Sequence, residues 1–160
     1  MFNNDEFNIK VPVSGKHFIY NALCSAMIGE LLNIDKENIR NGIKSFELTK
    51  KRMDLLKIND ITIINDSYNA SYESMKASLE YLSNINANRR IAVLGDMFEL
   101  GNYSEELHKK VGEEVVKNHI DILISCGENA KYIVEQAEKY GMAKENIYYL
   151  KNIQEVEEKI

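Results

Sequence analysis

The sequence predicts an α/β fold, with a mostly parallel sheet and helices on both faces, preceded by a helical segment of different character. Three observations predict it. From residue 53 onward strand-like and helix-like patterns alternate about every thirty residues, the spacing of right-handed βαβ units. The helical stretches carry one apolar stripe each, as Leu107, Val111 and Val115 do, so each has a face to lay against a sheet. Two apolar strands, 61–65 and 90–95, run straight into turns rich in acids, amides and hydroxyls. In an open parallel sheet such turns gather at the carboxyl edge, where ligands bind.

Each element follows from local chemistry. Phe7-Asn8-Ile9-Lys10-Val11 alternates apolar and polar residues just before the sole proline, Pro12, and reads as an edge or terminal strand. After Ser14-Gly15 a helix is expected to about Leu32. Its apolar positions Ile19, Ala22, Leu23, Ala26, Met27 and Leu31 cover most of the circumference, which predicts burial on more than one side. Because this helix begins only a few residues into the chain, part of its packing partner is expected to be missing. Asp35 is placed to cap a second, short helix carrying Ile39 and Ile43. Thr49 to Arg52 is polar and basic, a linker or domain boundary. Two β-rich runs, 53–58 and 61–65, flank Asn59-Asp60 and predict a hairpin. Helix 71–84 follows with Ser71 as its cap, then strand 90–95, helix 104–118, strand 121–126 and helix 128–140. Ile133, Val134 and Ala137 give that last helix its stripe, and Gly141 ends it. Strand 147–150 and a helix from about residue 153 complete the series. Neither an internal repeat nor a low-complexity tract is found.

Composition removes several classes of function. Across 160 residues the net charge is −5, with lysines and arginines scattered among acids rather than gathered on one face, which argues against nucleic acid. No apolar run approaches the roughly 18 residues of a membrane span. MFNNDEFNIK lacks the basic-then-apolar layout of a signal peptide, so a cytoplasmic location is expected. Cys24 and Cys126 lie far apart, outside any metal-binding or CxxC spacing, and are expected to be small buried thiols. His17, His108 and His119 have no HExxH-like pairing, which argues against a zinc site. The chain also contains no phosphate-cradling loop ending in Gly-Lys-Ser/Thr.

Four places could carry chemistry. In Asn65-Asp66-Ser67-Tyr68-Asn69-Ala70-Ser71, Asp66 at the strand end could accept hydrogen bonds from ribose hydroxyls, with Ser67, Tyr68 and Asn69 offering donors beside a helix N-terminus. The alternative is a plain strand-to-helix turn. In Gly95-Asp96-Met97-Phe98-Glu99-Leu100-Gly101, Asp96 and Glu99 could bind an amine or a metal-bound water, or could be solvated turn acids. Arg52 either meets a phosphate across a domain crevice or is a solvated linker arginine. His17 and Asn21 share one face at the start of an apolar helix. Asn21 could pair with an adenine edge, or be a satisfied polar residue.

Taken in order, GKHFIYNAL, the Arg52 linker, NDSYNAS with Ser74-Met75 downstream, and LGDMFELG resemble the Mur ligases over essentially the whole chain. The wording is most similar to the branch that adds D-alanyl-D-alanine to UDP-N-acetylmuramoyl-tripeptide (UDP-MurNAc-tripeptide) in peptidoglycan synthesis. A sibling amide ligase of the MurE or folylpolyglutamate synthase type would carry a different strand-end motif. A non-catalytic α/β binding module is the other alternative.

The resemblance implies a cytoplasmic, monomeric three-domain parent using ATP and Mg²⁺, both bound mainly by a central domain upstream. Residues 1–50 would be the end of that ATPase domain. Residues 51–160 would be the Rossmann-like C-terminal domain, short of its last elements. By similarity Asn21 contacts adenine, Arg52 reaches the nucleotide phosphates and Asp66 holds the ribose. Tyr68 and Asn69 line the same cleft, and His17 matches the histidine of the helix-start motif. The loop with Asp96 and Glu99 faces the substrates. No catalytic residue is expected in this chain, and alone it is expected to fold beyond residue 51 without ligase activity. Departures from the family pattern are Phe18 for an asparagine, Asn65 for an aspartate and Ser71-Tyr72 for Asn-Pro.

Overall fold

The computed structural model describes residues 8–13, 15–47 and 50–151. It divides into two compact units, Met1–Asp54 and Leu55–Ile160.

In the first unit, α1 (Lys16–Leu31) packs against α2 (Lys36–Lys44). Asp35 caps α2 as its sequence position requires, its Oδ2 accepting the Glu37 N–H at 2.9 Å. The helices approach closely because position 29 is glycine; a Cβ there would lie 2.7 Å from the Ile39 side chain. Ala22, Ala26 and Gly29 form the buried line of α1. Ile19, Leu23, Met27 and Leu31 are exposed, so the expected burial on more than one side is not found. Among the described residues of this unit, α2 is the helix that covers α1, and one neighbour can bury only one stripe. Residues 8–13 form no strand. With no described strand in this unit to pair with, the segment instead gives the Asn8 carbonyl to the Arg40 side chain at 3.1 Å. Phe7 lies outside the described residues. Cys24 is exposed and Cys126 half-buried, neither in a disulfide, which corrects the expectation of two buried thiols.

The second unit opens with a hairpin. Strands β1 (Asp54–Ile58) and β2 (Ile61–Asn65) pair through a turn in which Asn59 takes the left-handed conformation, φ 52°. There follow α3 (Tyr72–Asn84), β3 (Ile91–Gly95), α4 (Ser104–Lys117), β4 (Ile122–Cys126), α5 (Lys131–Lys139) and β5 (Ile147–Leu150). The last three strands make one parallel sheet in the order β3-β4-β5, with Ile91 opposite Ile122 and Leu123 opposite Ile147. The hairpin is a separate sheet.

Strand alternation sends Ala92, Leu123 and Ser125 inward, while Ile91 and Val93 are exposed. The inward residues meet Met75 and Leu79 of α3, Val111 and Val115 of α4, and Ile133 and Ala137 of α5 in one core. Each fully buried aliphatic side chain there contributes about 1.5–3 kcal/mol. Gly112 lets α4 and α5 touch; a Cβ at that position would stand 2.4 Å from the Ile133 carbonyl oxygen. Gly141, at φ 102°, ends α5, and the Met142 N–H returns to the Ala137 carbonyl at 3.0 Å. The expected helix from residue 153 lies outside the described residues. Among the described residues no helix is long and apolar enough to cross a membrane.

Candidate functional site

Two turns at strand carboxyl ends carry most of the candidate residues. After β2, the Asn65 Oδ1 accepts from the Ser67 N–H at 3.3 Å and from its hydroxyl at 2.7 Å, an Asx turn that redirects the chain. Ser71 and Ser74 then form a reciprocal capping box that starts α3. Asp66 is half-buried between these devices, and the Ser78 hydroxyl on α3 donates to its Oδ2 at 2.5 Å. A carboxylate fixed at a strand end is the acceptor that vicinal hydroxyls need. Tyr68, 60% exposed, and Asn69 stand beside it on the surface.

The turn after β3 is anchored twice. Asp96 Oδ1 accepts the backbone N–H groups of Asn129 at 3.0 Å and Ala130 at 2.6 Å. These amides open α5, which has no side-chain cap of its own, so an acid from a neighbouring strand caps it. For the same reason α5 begins at Lys131 rather than near 128: residues 127–130 are bent around Asp96. Gly127 is essential to that bend, with φ 128° and a Cβ position 2.4 Å from the Asp96 carboxyl carbon. The second anchor is His108, fully buried on α4. Its Nε2 accepts the Met97 N–H at 3.0 Å, and its Nδ1–H donates to the Ser104 carbonyl at 2.7 Å. Asp96 is thus occupied with the turn. Glu99, exposed and left-handed at φ 61°, is the acid that this loop presents, beside Phe98, which is 76% exposed.

His17, Asn21 and Arg52 belong to the first unit, and all three are exposed. The His17 ring lies 4.1 Å from that of Phe18 between centroids. The candidates therefore fall into two sets, one on each unit. Among the described residues no three His, Cys, Asp or Glu side chains come together to hold a metal ion. Ser78, Gly127 and His108 escaped the reading of the sequence. Only His108 left a signal: it interrupts an apolar stripe one residue from Leu107 and three from Val111.

Comparison with known proteins places the chain. Residues 51–160 match the family described as Mur ligase, glutamate ligase domain. The UDP-N-acetylmuramoyl-tripeptide--D-alanyl-D-alanine ligase of Bacillus subtilis is 34% identical over 132 residues, covering 81% of this chain and 29% of the relative. The enzyme of the same name from Buchnera aphidicola subsp. Baizongia pistaciae is 37% identical, over 81% of this chain and 28% of its own length. The fold is that of MurF from Acinetobacter baumannii, with a TM-score of 0.80 at 24% identity over 92% of this chain and 31% of that one. A MurF ligase from Thermotoga maritima, solved in complex with ADP, gives 0.64 at 21% identity over 87% of this chain and 35% of that one. The chain belongs to the Mur ligase family. It spans under a third of the curated relatives named here, whose names are those of the D-alanyl-D-alanine-adding ligase.

Proposed function

We propose that this chain is the carboxyl-terminal part of an ATP-dependent ligase that joins D-Ala-D-Ala to UDP-MurNAc-tripeptide in the cytoplasm. Residues 1–50 form the end of its central ATPase domain, and residues 51–160 form its C-terminal domain. The observation that carries the reading is 34% identity to the Bacillus subtilis ligase across 81% of the chain.

The residues of this chain have defined tasks in that reaction. Asp66, oriented by the Ser78 hydroxyl, takes the ribose hydroxyls, and the exposed Tyr68 ring and Asn69 amide line the same cleft. Arg52 meets the phosphates, Asn21 pairs with the adenine edge, and His17, four residues before Asn21 on α1, is the histidine of the helix-start motif. ATP, when bound, supplies the phosphoryl group that activates the acid to be joined. Among the described residues no cluster of ligating side chains could hold Mg²⁺, which in this reading belongs to the central domain upstream. Glu99 lies at the tip of the 95–101 loop, where its carboxylate can take the ammonium group of the incoming dipeptide. Holding the partners in line is the main contribution this part makes to the rate.

The test is phosphate release from ATP by the full-length enzyme carrying this chain. Release that requires both UDP-MurNAc-tripeptide and D-Ala-D-Ala supports the assignment. Release with another amine moves it to a sibling ligase, and no release with any amine moves it to a binding module.

A further inference from the structure

The one fully buried histidine among the described residues, His108, has both ring nitrogens engaged by backbone groups of fixed polarity. A carbonyl can only accept, so the Ser104 oxygen requires a proton on Nδ1. An amide N–H can only donate, so Met97 requires a bare Nε2. The two contacts select the same neutral tautomer. In a core of aliphatic residues a leucine would fill this position without a polar group to satisfy, so the imidazole is explained by what it holds.

What it holds is the stem of an exposed tip. Three consecutive fixings precede Phe98: the Asp96 carboxylate on the Asn129 and Ala130 amides, the Met97 N–H on His108, and the Met97 side chain, 1% exposed, in the core. Directly after them come an aromatic ring left in water and a glutamate in the left-handed region, which L side chains adopt at a cost. Phe98 is 76% exposed and Glu99 is exposed, both directly after the fastened stem. The loop fastens its backbone and exposes the tip.

We propose that His108 is a positioning residue: as the Nδ1–H tautomer it clamps loop 95–101 and thereby sets where Phe98 and Glu99 meet the incoming amine. The proposal rests on the ligase reading above. His108 touches no substrate and acts through Met97.

The test uses His108→Leu and His108→Gln in the full-length enzyme. A glutamine carbonyl can reach the Nε2 position and accept the Met97 N–H; leucine cannot. Leucine should raise the KM for D-Ala-D-Ala roughly tenfold or more, the expected effect of stranding one buried amide, with the KM for ATP within about twofold. Glutamine should restore most of the loss. Hydrogen exchange at the Met97 amide should quicken by a similar factor in the leucine variant and stay slow in the glutamine variant. Equal rises in both KM values, unchanged exchange at Met97, or glutamine no better than leucine would each overturn the proposal. If the leucine variant does not fold, the ring tautomer of His108 in the wild-type enzyme, read by nitrogen NMR, decides, and an Nε2–H or doubly protonated ring overturns the clamp. Wild-type turnover with the dipeptide is measured first. Its absence overturns the ligase reading, and Met97 exchange then judges the clamp separately.

Discussion

At the scale of residues, two aspartates at strand ends have taken different work. Asp66 accepts from the Ser78 hydroxyl on the following helix, whereas the Asp96 Oδ1 spans two backbone amides that open α5. Hydrogen bonds to a charged acceptor contribute about 1.5–3 kcal/mol each. Asp96→Ala should therefore destabilise the protein by about 2–4 kcal/mol, the pair being less than additive, with Asp96→Asn in between because its amide oxygen can still accept. Urea unfolding measures this directly, and an Asp96→Ala midpoint equal to wild type would show that the acid is dispensable to the turn. The sequence made both aspartates visible as strand-end acids but gave no sign of what engages Asp96, because those groups lie 33 and 34 residues away. Ser78 and Gly127 were invisible for the same reason: their meaning depends on which strand and helix the fold sets beside them.

At the scale of elements, legibility tracked how local the cause is. Caps at Asp35 and Ser71 and the Gly141 terminator involve neighbours within a few residues, and all three act where the sequence puts them. Strands 61–65 and 147–150 matched in full, and the other three predicted strands from residue 53 onward began one residue early. The α5 start and the strand expected at 7–11, of which residues 8–11 are described and form none, depend on distant partners, and both differ from expectation. Helix pairing shows the same dependence. Gly112 sits in a helix where alanine would favour the local structure, yet its Cβ would collide with the α5 backbone. Gly112→Ala should thus destabilise by about 1–3 kcal/mol despite its better helix propensity. For a domain of about 100 residues that is a fall of at least about 4 °C in Tm. A rise in Tm would mean that the two helices have room to part.

At the scale of the whole molecule, the proposed reaction divides labour between two strand-end turns of one α/β unit. In that proposed reaction the turn after β2 serves the nucleotide, and the clamped loop after β3 serves the incoming amine. The α/β class and the family were legible from alternation and from the two turns. The resemblance itself set Asp66 on the ribose and the loop with Asp96 and Glu99 toward the substrates; what the sequence left open was which acid of that loop the fold engages, because the amides that meet Asp96 lie 33 and 34 residues away. The exposed apolar line on α1 belongs to this scale as well: Ile19, Leu23, Met27 and Leu31 have no cover among the described residues of their unit. The most direct test of the division is to compare the KM for ATP with that for D-Ala-D-Ala in the full-length Asp66→Asn enzyme. Asparagine can still accept from the Ser78 hydroxyl, so the turn is retained while the charge is lost. The KM for ATP should rise about ten- to a hundredfold, the loss of one charged hydrogen bond, with the dipeptide KM within about twofold. An unchanged KM for ATP, or a dipeptide KM that rises in step with it, would contradict the account.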